Sequence, residues 1–509
     1  MSFAIETILF GHNTKVNHMT NIILFILWIY LMYVFLLKFN LSKNILKFVL
    51  ILIVVHPVFT SNVVYISPRG ELFLAIFTIL ALLNIKKYCT DYKIKNLILA
   101  FLFFTLSLFT KESGIVLIIT TPLFLYSLNK LKNKKNINLF FGFFLIFFLY
   151  VYLRKFAVSN TPMNIYIQNF SFILKNSING FIIYINKLLI PNDIPVIVYN
   201  YTPDIFSIIV FVIFIILLFF IYLKNFINKN FMLFGILFFV LYLLPTFVIV
   251  ENQIFFHRLL LPSLGLILIF ILFVQKILKL YPVSKKYLLF SFIILFLFFS
   301  FGSFLQADKY KNNAVFVANG YKDAPEYYTF IGAMGVLYMK MGHYDKALEY
   351  FVKAGKYHPS KYLNGIGLVL MKQNKFDQAI SFFNGSIEFN ENKAQAYFNL
   401  SCIYEQKKDY KKSLEYAQKS YLENPYNIGL SVNLADKYKL NNEYEKAIKI
   451  YNELLKFKKD NSEYYYNIAV LYDDLKDKNF ALKFINKAIQ LDKGNQKYKE
   501  FLLKLSEEK

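Results

Sequence analysis

From Thr20 to about Leu305 the chain is a succession of apolar runs, near 20–38, 46–57, 71–85, 96–110, 113–128, 137–153, 205–223, 231–250, 259–278 and 287–305. A helix of about 20 apolar residues crosses the hydrocarbon of a bilayer, and every backbone polar group inside it must be satisfied within the helix. The runs therefore predict a polytopic α-helical membrane domain of about ten spans over residues 1–306. Those at 46–57, 96–110 and 113–128 are short, so two of them read equally as re-entrant segments. The stretch FILKNSINGFIIYINKLLI near 172–190 mixes Lys and Asn with apolar residues and reads as an interfacial helix. Composition agrees: 57% of the 509 residues are hydrophobic, too many for an ordinary water-soluble chain.

Lysine placement orients the spans. The segments KFNLSKNILK, KKYCTDYKIK, NKLKNKK, KNFINK and KILKLYPVSKK fall at every second turn, as cytoplasmic loops do. The intervening loops, 1–19, 56–70, 110–113, 154–204 and 251–258, then face away from the cytoplasm, and the final span delivers the C-terminal region to that same side. The net charge of +25 comes largely from these lysines, and no nucleic-acid motif accompanies it. Cys89 and Cys402 lie in regions of different character, so neither a disulfide nor a cysteine metal site is expected.

After a linker over 307–326, residues 327–509 become polar and helical with a period of about 34 residues, the tetratricopeptide spacing. A small residue recurs at Ala347, Ala379, Ser413, Ala447 and Ala481. Another, twelve positions earlier, recurs at Gly335, Gly367, Ser401, Ala435 and Ala469. Tyr338, Leu370, Tyr404, Tyr438 and Tyr472 follow three later, and Pro359 and Pro425 end repeats. Small residues belong where two helices cross closely, and aromatics fill the groove to the next repeat. Five repeats and a polar capping helix, KYKEFLLKLSEEK, are expected, forming an α-solenoid that binds a peptide or protein or serves as a spacer.

Within the membrane domain the ionisable groups other than lysine gather on one face. The three arginines, Arg69, Arg154 and Arg258, all fall in outer loops, against the positive-inside tendency. Glu6, Glu71, Glu112, Asp193, Asp204 and Glu251 join them, with His12, His18, His56 and His257; only Asp91 is cytoplasmic. Ionisable groups at membrane depth are costly and line polar cavities, and the arginine fork suits phosphate or carboxylate. The set predicts a pocket for a phosphorylated lipid. Each member also has a structural alternative: Arg69 and Glu71 as a helix cap, Lys111 and Glu112 as a neutralised pair, His257 and Arg258 as an interfacial anchor. The histidine spacing suggests no metal.

HPVFTSNVVYISPRGELF at 56–73, FTKESGI at 109–115, YLR at 152–154, HRLLLPSLG at 257–265 and the repeat array together resemble the transmembrane and tetratricopeptide-repeat O-mannosyltransferases and their bacterial relatives. These belong to the GT-C class of glycosyltransferases. The resemblance implies transfer of a sugar, mannose in the eukaryotic members, from a polyprenyl-phosphate carrier to a hydroxyl acceptor outside the cytoplasm, with no other cofactor. It implies donor-phosphate or substrate roles for Arg69, Glu71, Lys111, Glu112, Arg154, His257 and Arg258, with His56 and Pro57 supporting. Pro262, Ser263 and Gly265 complete its R-x-x-x-P-S-x-G stretch. The family's general base is an Asp in the first outer loop. This chain opens on what resembles the end of that loop, so the resemblance implies that the first membrane helix and the Asp are missing, and leaves the base unassigned with Glu6 as the loop's one carboxylate. Two other readings compete: a membrane-anchored repeat scaffold for protein interaction, and an oligosaccharide ligase. The expected location is a bacterial inner membrane, with the repeats on the non-cytoplasmic side.

Overall fold

The computed structural model describes residues 6, 13–65, 68–157, 170–200, 202–248 and 253–507; His12 and Glu251 lie outside them. The fold is all-α and divides into two compact units, Met1–Ala324 and Pro325–Lys509.

In the first unit α1 (Thr14–Leu37) is capped by Asn13, whose side chain accepts from the Lys15 amide. It packs on α4 (Arg69–Asp91), the most enclosed of the long helices. Then follow α5 (Ile94–Thr110), α6 (Val116–Ser127), α7 (Ile137–Ala157), α8 (Phe170–Leu189), α9 (Ile205–Leu223), α10 (Lys229–Val248), α11 (Ser263–Leu280) and α12 (Lys285–Asp308). Of the ten runs expected to span, seven lie on helices long and apolar enough to cross a membrane: α1, α4, α7, α9, α10, α11 and α12. The run at 46–57 is instead half of a bent pair, α2 (Lys43–Val54) and α3 (Pro57–Val64), which meet at 62°. Runs 96–110 and 113–128 are shorter helices, joined by a turn at Glu112–Ile115. The stretch read as interfacial is α8, and its second half is core: Tyr184 and Ile185 are buried, and Asn186 Nδ2 donates to Ser207 Oγ at 2.6 Å.

The bend between α2 and α3 follows from His56 and Pro57. Proline at the first helical position needs no hydrogen-bond acceptor. His56 Nε2 donates to the Leu188 carbonyl at 3.1 Å, which leaves Nδ1 to accept from the Val58 amide at 3.3 Å. The Val55 carbonyl, left open by the break, accepts from Ser303 Oγ of α12 at 2.7 Å. A two-residue ladder pairs β1 (Val198–Tyr199) with β2 (Gln253–Ile254), which fixes the chain just ahead of a turn at Phe256–Leu259. The stretch 307–326, expected as a linker, contains α13 (Asn313–Asp323), and Asp323 Oδ2 accepts from the Val196 amide at 2.6 Å within the first unit.

The second unit is five helix pairs and a final helix. The pairs are α14 (Tyr328–Lys340) with α15 (Tyr344–Gly355), α16 (Pro359–Lys372) with α17 (Phe376–Glu388), α18 (Lys393–Gln406) with α19 (Tyr410–Glu423), α20 (Ile428–Leu440) with α21 (Tyr444–Phe457), and α22 (Ser462–Asp474) with α23 (Lys478–Leu491), followed by α24 (Gln496–Glu507). The small residues sit at the crossings: Ala347, Ala379, Ser413, Ala447 and Ala481 are fully buried. A Cβ added at Gly367 would stand 2.8 Å from the Phe383 ring. Where serine takes both positions, Ser413 Oγ donates to the Ser401 carbonyl at 2.9 Å. Tyr498 of α24 is buried and stacks on Tyr466, which closes the end of the array.

A close helix crossing in the first unit joins α10 and α11 at Gly235 and Gly265, where a Cβ on Gly265 would lie 2.2 Å from the Gly235 carbonyl oxygen. Gly265→Ala is expected to cost about 1–3 kcal/mol, read as a lower thermal unfolding midpoint of the detergent-solubilised protein. An unchanged midpoint would refute the close approach.

Candidate functional site

Three interruptions in the helices of the first unit adjoin one cavity and carry charged side chains. The first is the start of α4, where Glu71 sits in the first turn, a position favourable to an acid. The second is the turn after α5. There Lys111 is extended, and Gly114 comes so near Ser107 that a Cβ would lie 2.7 Å from its carbonyl, so the chain reverses within a few residues and presents Lys111 and Glu112 together. The third is the Phe256–Leu259 turn, which bears His257 and Arg258.

Side chains from other helices hold that last turn. Asn62 Nδ2 of α3 donates to the His257 carbonyl at 3.0 Å, and Tyr184 Oη of α8 donates to the Phe255 carbonyl at 3.2 Å. Arg258 lies over the Phe255 ring at 5.1 Å, and its Nε is buried with no hydrogen-bond partner among the described residues. Burial, with Arg258 and Lys111 adding positive potential, holds the His257 imidazole well below its ordinary pKa. It is therefore neutral at pH 7.

Glu71, Lys111, Glu112 and Arg258 line one cavity of about 90 Å³, with Tyr242 and Thr246 of α10 on its wall. Lys111 pairs with Glu71. Glu112 pairs with Arg154 Nη2 from the end of α7 at 2.7 Å, and Arg154 Nη1 donates to Tyr150 Oη at 2.6 Å. A second cavity of about 370 Å³ shares Lys111 and Glu112 and adds Arg154, Leu108, Phe109 and Leu153. A cationic surface and a hydrocarbon surface thus adjoin at Lys111.

Arg69 does not line either cavity. It is 1% exposed and points toward α1: Nε donates to Asn21 Oδ1 at 2.9 Å, Nη2 donates to the Asn17 carbonyl at 2.9 Å, and Nη1 pairs with Glu6 at 2.8 Å. Arg69, expected at the donor phosphate, instead has these donors aimed at α1, two residues before Glu71 faces the other way. Glu6 is spent on the same ion pair, although its second oxygen, Oε2, is buried with no partner among the described residues. His56 and Pro57 shape the α2–α3 bend and are absent from both linings. Asp193 pairs with Lys309 at 2.8 Å, and Asp204 caps α9, so these two acids are structural as well. No cluster of potential metal ligands occurs among the described residues. Asn62, Tyr184 and Asn21 were missed by sequence reasoning; Asn21, at the start of the first apolar run, was the one signal available.

Residues 333–392, 404–471 and 462–495 each match a model of the tetratricopeptide repeat, and the C-terminal region carries such repeats. No curated protein matches the chain. Among solved structures, it is similar to YrrB, described as a TPR protein with an unusual peptide-binding site, at 15% identity over 36% of this chain and 96% of that one (TM-score 0.31). It is also similar to MamA, at 21% identity over 34% and 96% (TM-score 0.30), and to PilF of Pseudomonas aeruginosa, at 18% identity over 40% and 93% (TM-score 0.33).

Glu71 is buried and forms an ion pair with Lys111. Lys111→Met is expected to lower stability by about 2 kcal/mol, between the values typical of exposed and of buried pairs. Adding Glu71→Gln should recover most of that loss, which a double-mutant cycle on thermal unfolding checks; additive losses would show that the pair carries no coupling.

Proposed function

We propose that the chain is a multi-pass membrane glycosyltransferase. It moves a sugar from a polyprenyl-phosphate carrier to a hydroxyl acceptor on the non-cytoplasmic side of a bacterial inner membrane, and its repeat unit, on that side, binds protein. The observation that carries this reading is the Arg258 guanidinium, with a buried Nε that lacks an acceptor in a cavity it shares with Lys111. Lys111, Arg154 and Arg258 stand against Glu71 and Glu112, so three cations less two carboxylates leave one positive charge for an anion. A planar guanidinium beside an ammonium suits a phosphate. Leu108, Phe109 and Leu153 supply hydrocarbon next to those cations, which a lipid phosphate requires and a free phosphate does not. In the transfer, the acceptor oxygen bonds to the anomeric carbon as the bond from that carbon to the phosphate oxygen breaks. The cations hold the departing phosphate, and the hydroxyl proton passes to a carboxylate.

One observation favours the scaffold reading instead. Both carboxylates on the cavity are already paired, Glu71 with Lys111 and Glu112 with Arg154, and a paired carboxylate is a weaker base. The two readings separate in an assay of sugar transfer from a polyprenyl-phosphate sugar to a Ser/Thr peptide, using the full chain in lipid nanodiscs. Wild type is expected to transfer, and Arg258→Gln to lower the rate about 10²–10³-fold and to weaken retention of polyprenyl phosphate, with thermal unfolding unchanged. A wild-type protein that neither transfers sugar nor retains the lipid phosphate would leave the scaffold standing.

A further inference from the structure

A stack of helix pairs has two edges, one made of the turns within repeats and the other of the turns between them. The turns within repeats share one design: Gly342, Asn374, Lys408, Asn442 and Lys476 each take a φ between 60° and 79°. Among the described residues, large apolar side chains stand exposed at two of these five turns, Met341 and Leu440. The turns between repeats differ. Tyr357, Phe389, Tyr426 and Phe457, one at or beside each of the first four, are 47%, 63%, 90% and 78% exposed. Singly such residues are ordinary, but recurring along one edge they mark an interaction surface.

Charge selects one turn from this row. Phe389 lies between Glu388 and Glu391, and Tyr426 follows Glu423 by three residues. Phe457 closes α21 with Lys456 before it and Lys458 and Lys459 after it, and all four are exposed. Residues 456–461 line an open recess of about 580 Å³, with three cations against one carboxylate, Asp460. Lys437, Lys439 and Lys446 of the same repeat each pair with an acid, whereas Lys456, Lys458 and Lys459 pair with none among the described residues. A lysine in the last turn of a helix suits the helix dipole, which accounts for Lys456. It accounts for neither the two lysines beyond the helix nor the phenylalanine.

An apolar ring ringed by ammonium groups matches a lipid headgroup layer. The ring enters the boundary with the acyl chains while the ammoniums stay at the phosphates. Near an anionic leaflet each lysine strengthens binding about fivefold. So small a patch binds weakly when free in solution. The seven long apolar helices of the first unit hold the chain at a bilayer, on the reading that they span one, and a tether makes a weak contact effective.

We propose that the turn joining the fourth and fifth repeats docks on the surface of an anionic bilayer, with Phe457 inserted among the headgroups and Lys456, Lys458 and Lys459 on lipid phosphates. The partner is lipid, so this surface is distinct from one that binds protein. The inference rests on the membrane reading of the first unit and not on sugar transfer.

Trp28, the chain's one tryptophan, is fully buried, so an indole placed at the turn can be read against the wild-type signal. The test is quenching of tryptophan emission by lipids brominated on their acyl chains, with the full chain in nanodiscs. Phe457→Trp is expected to add emission that is quenched about twofold or more in discs of about one-third phosphatidylglycerol, and less in phosphatidylcholine alone. Adding Lys456→Gln, Lys458→Gln and Lys459→Gln should remove most of that quenching and leave the unfolding midpoint unchanged, because these side chains are exposed. Added emission that stays unquenched in anionic discs, or quenching that survives loss of the three lysines, would overturn the proposal. So would emission that shifts to the blue only as protein concentration rises, which would put a second copy of the chain on the turn. Failure of the wild type to enter nanodiscs would sink the membrane reading and this proposal with it. Discs that hold the chain with the indole unquenched would sink this proposal alone, and a failed sugar-transfer assay would leave it standing.

Discussion

A backbone amide buried among apolar side chains has no solvent to bond, and the first unit is organised by that constraint. At three breaks in its helices a side chain or a tight turn takes over the lost backbone bonds. At the α2–α3 bend His56 and Ser303 do so; after α5 the reversal at Gly114 does; ahead of α11 Asn62 and Tyr184 do. Each break needs polar groups nearby, and the breaks at the start of α4, after α5 and before α11 meet in one cavity. Charged residues there are a consequence of where the helices stop.

The same constraint explains why the charges come in pairs. A lone ionised group in such surroundings is costly, so Glu71 has Lys111, Glu112 has Arg154 and the fully buried Arg69 has Glu6 with two further acceptors. Arg258 differs. Its turn is gripped from α3 and α8 through backbone carbonyls, which leaves the guanidinium over Phe255 and its Nε unused. The contrast is between a guanidinium bonded to α1 and Glu6 and one whose Nε meets no acceptor among the described residues.

Much of this was legible in the sequence, for a physical reason. Span length and repeat period are properties of consecutive residues, so the seven long helices and the crossings at Ala347 through Ala481 could be read directly. The gathering of Glu71, Lys111, Glu112 and Arg258 was foreshadowed by their shared face. The direction of Arg69 was not, since nothing local distinguishes a side chain aimed at Asn21 from one aimed at Lys111. Nor was α13 within the expected linker; its tie, Asp323 to the Val196 amide, joins residues more than a hundred positions apart. Short runs such as 96–110 were ambiguous because hydropathy reports composition, and only the turn at Lys111 shows where a helix ends.

Each unit is built on a regular apolar pattern, continuous in the first and periodic in the second, and in each a few polar groups interrupt it at a cost that packing alone would remove. In the first unit the interruption is forced, because helices must end somewhere. In the second it is not: Leu337, Val369, Ile403 and Leu471 show that hydrocarbon serves at the position of Lys437, and Ala333 and Gly365 show that the fold does without Asn433.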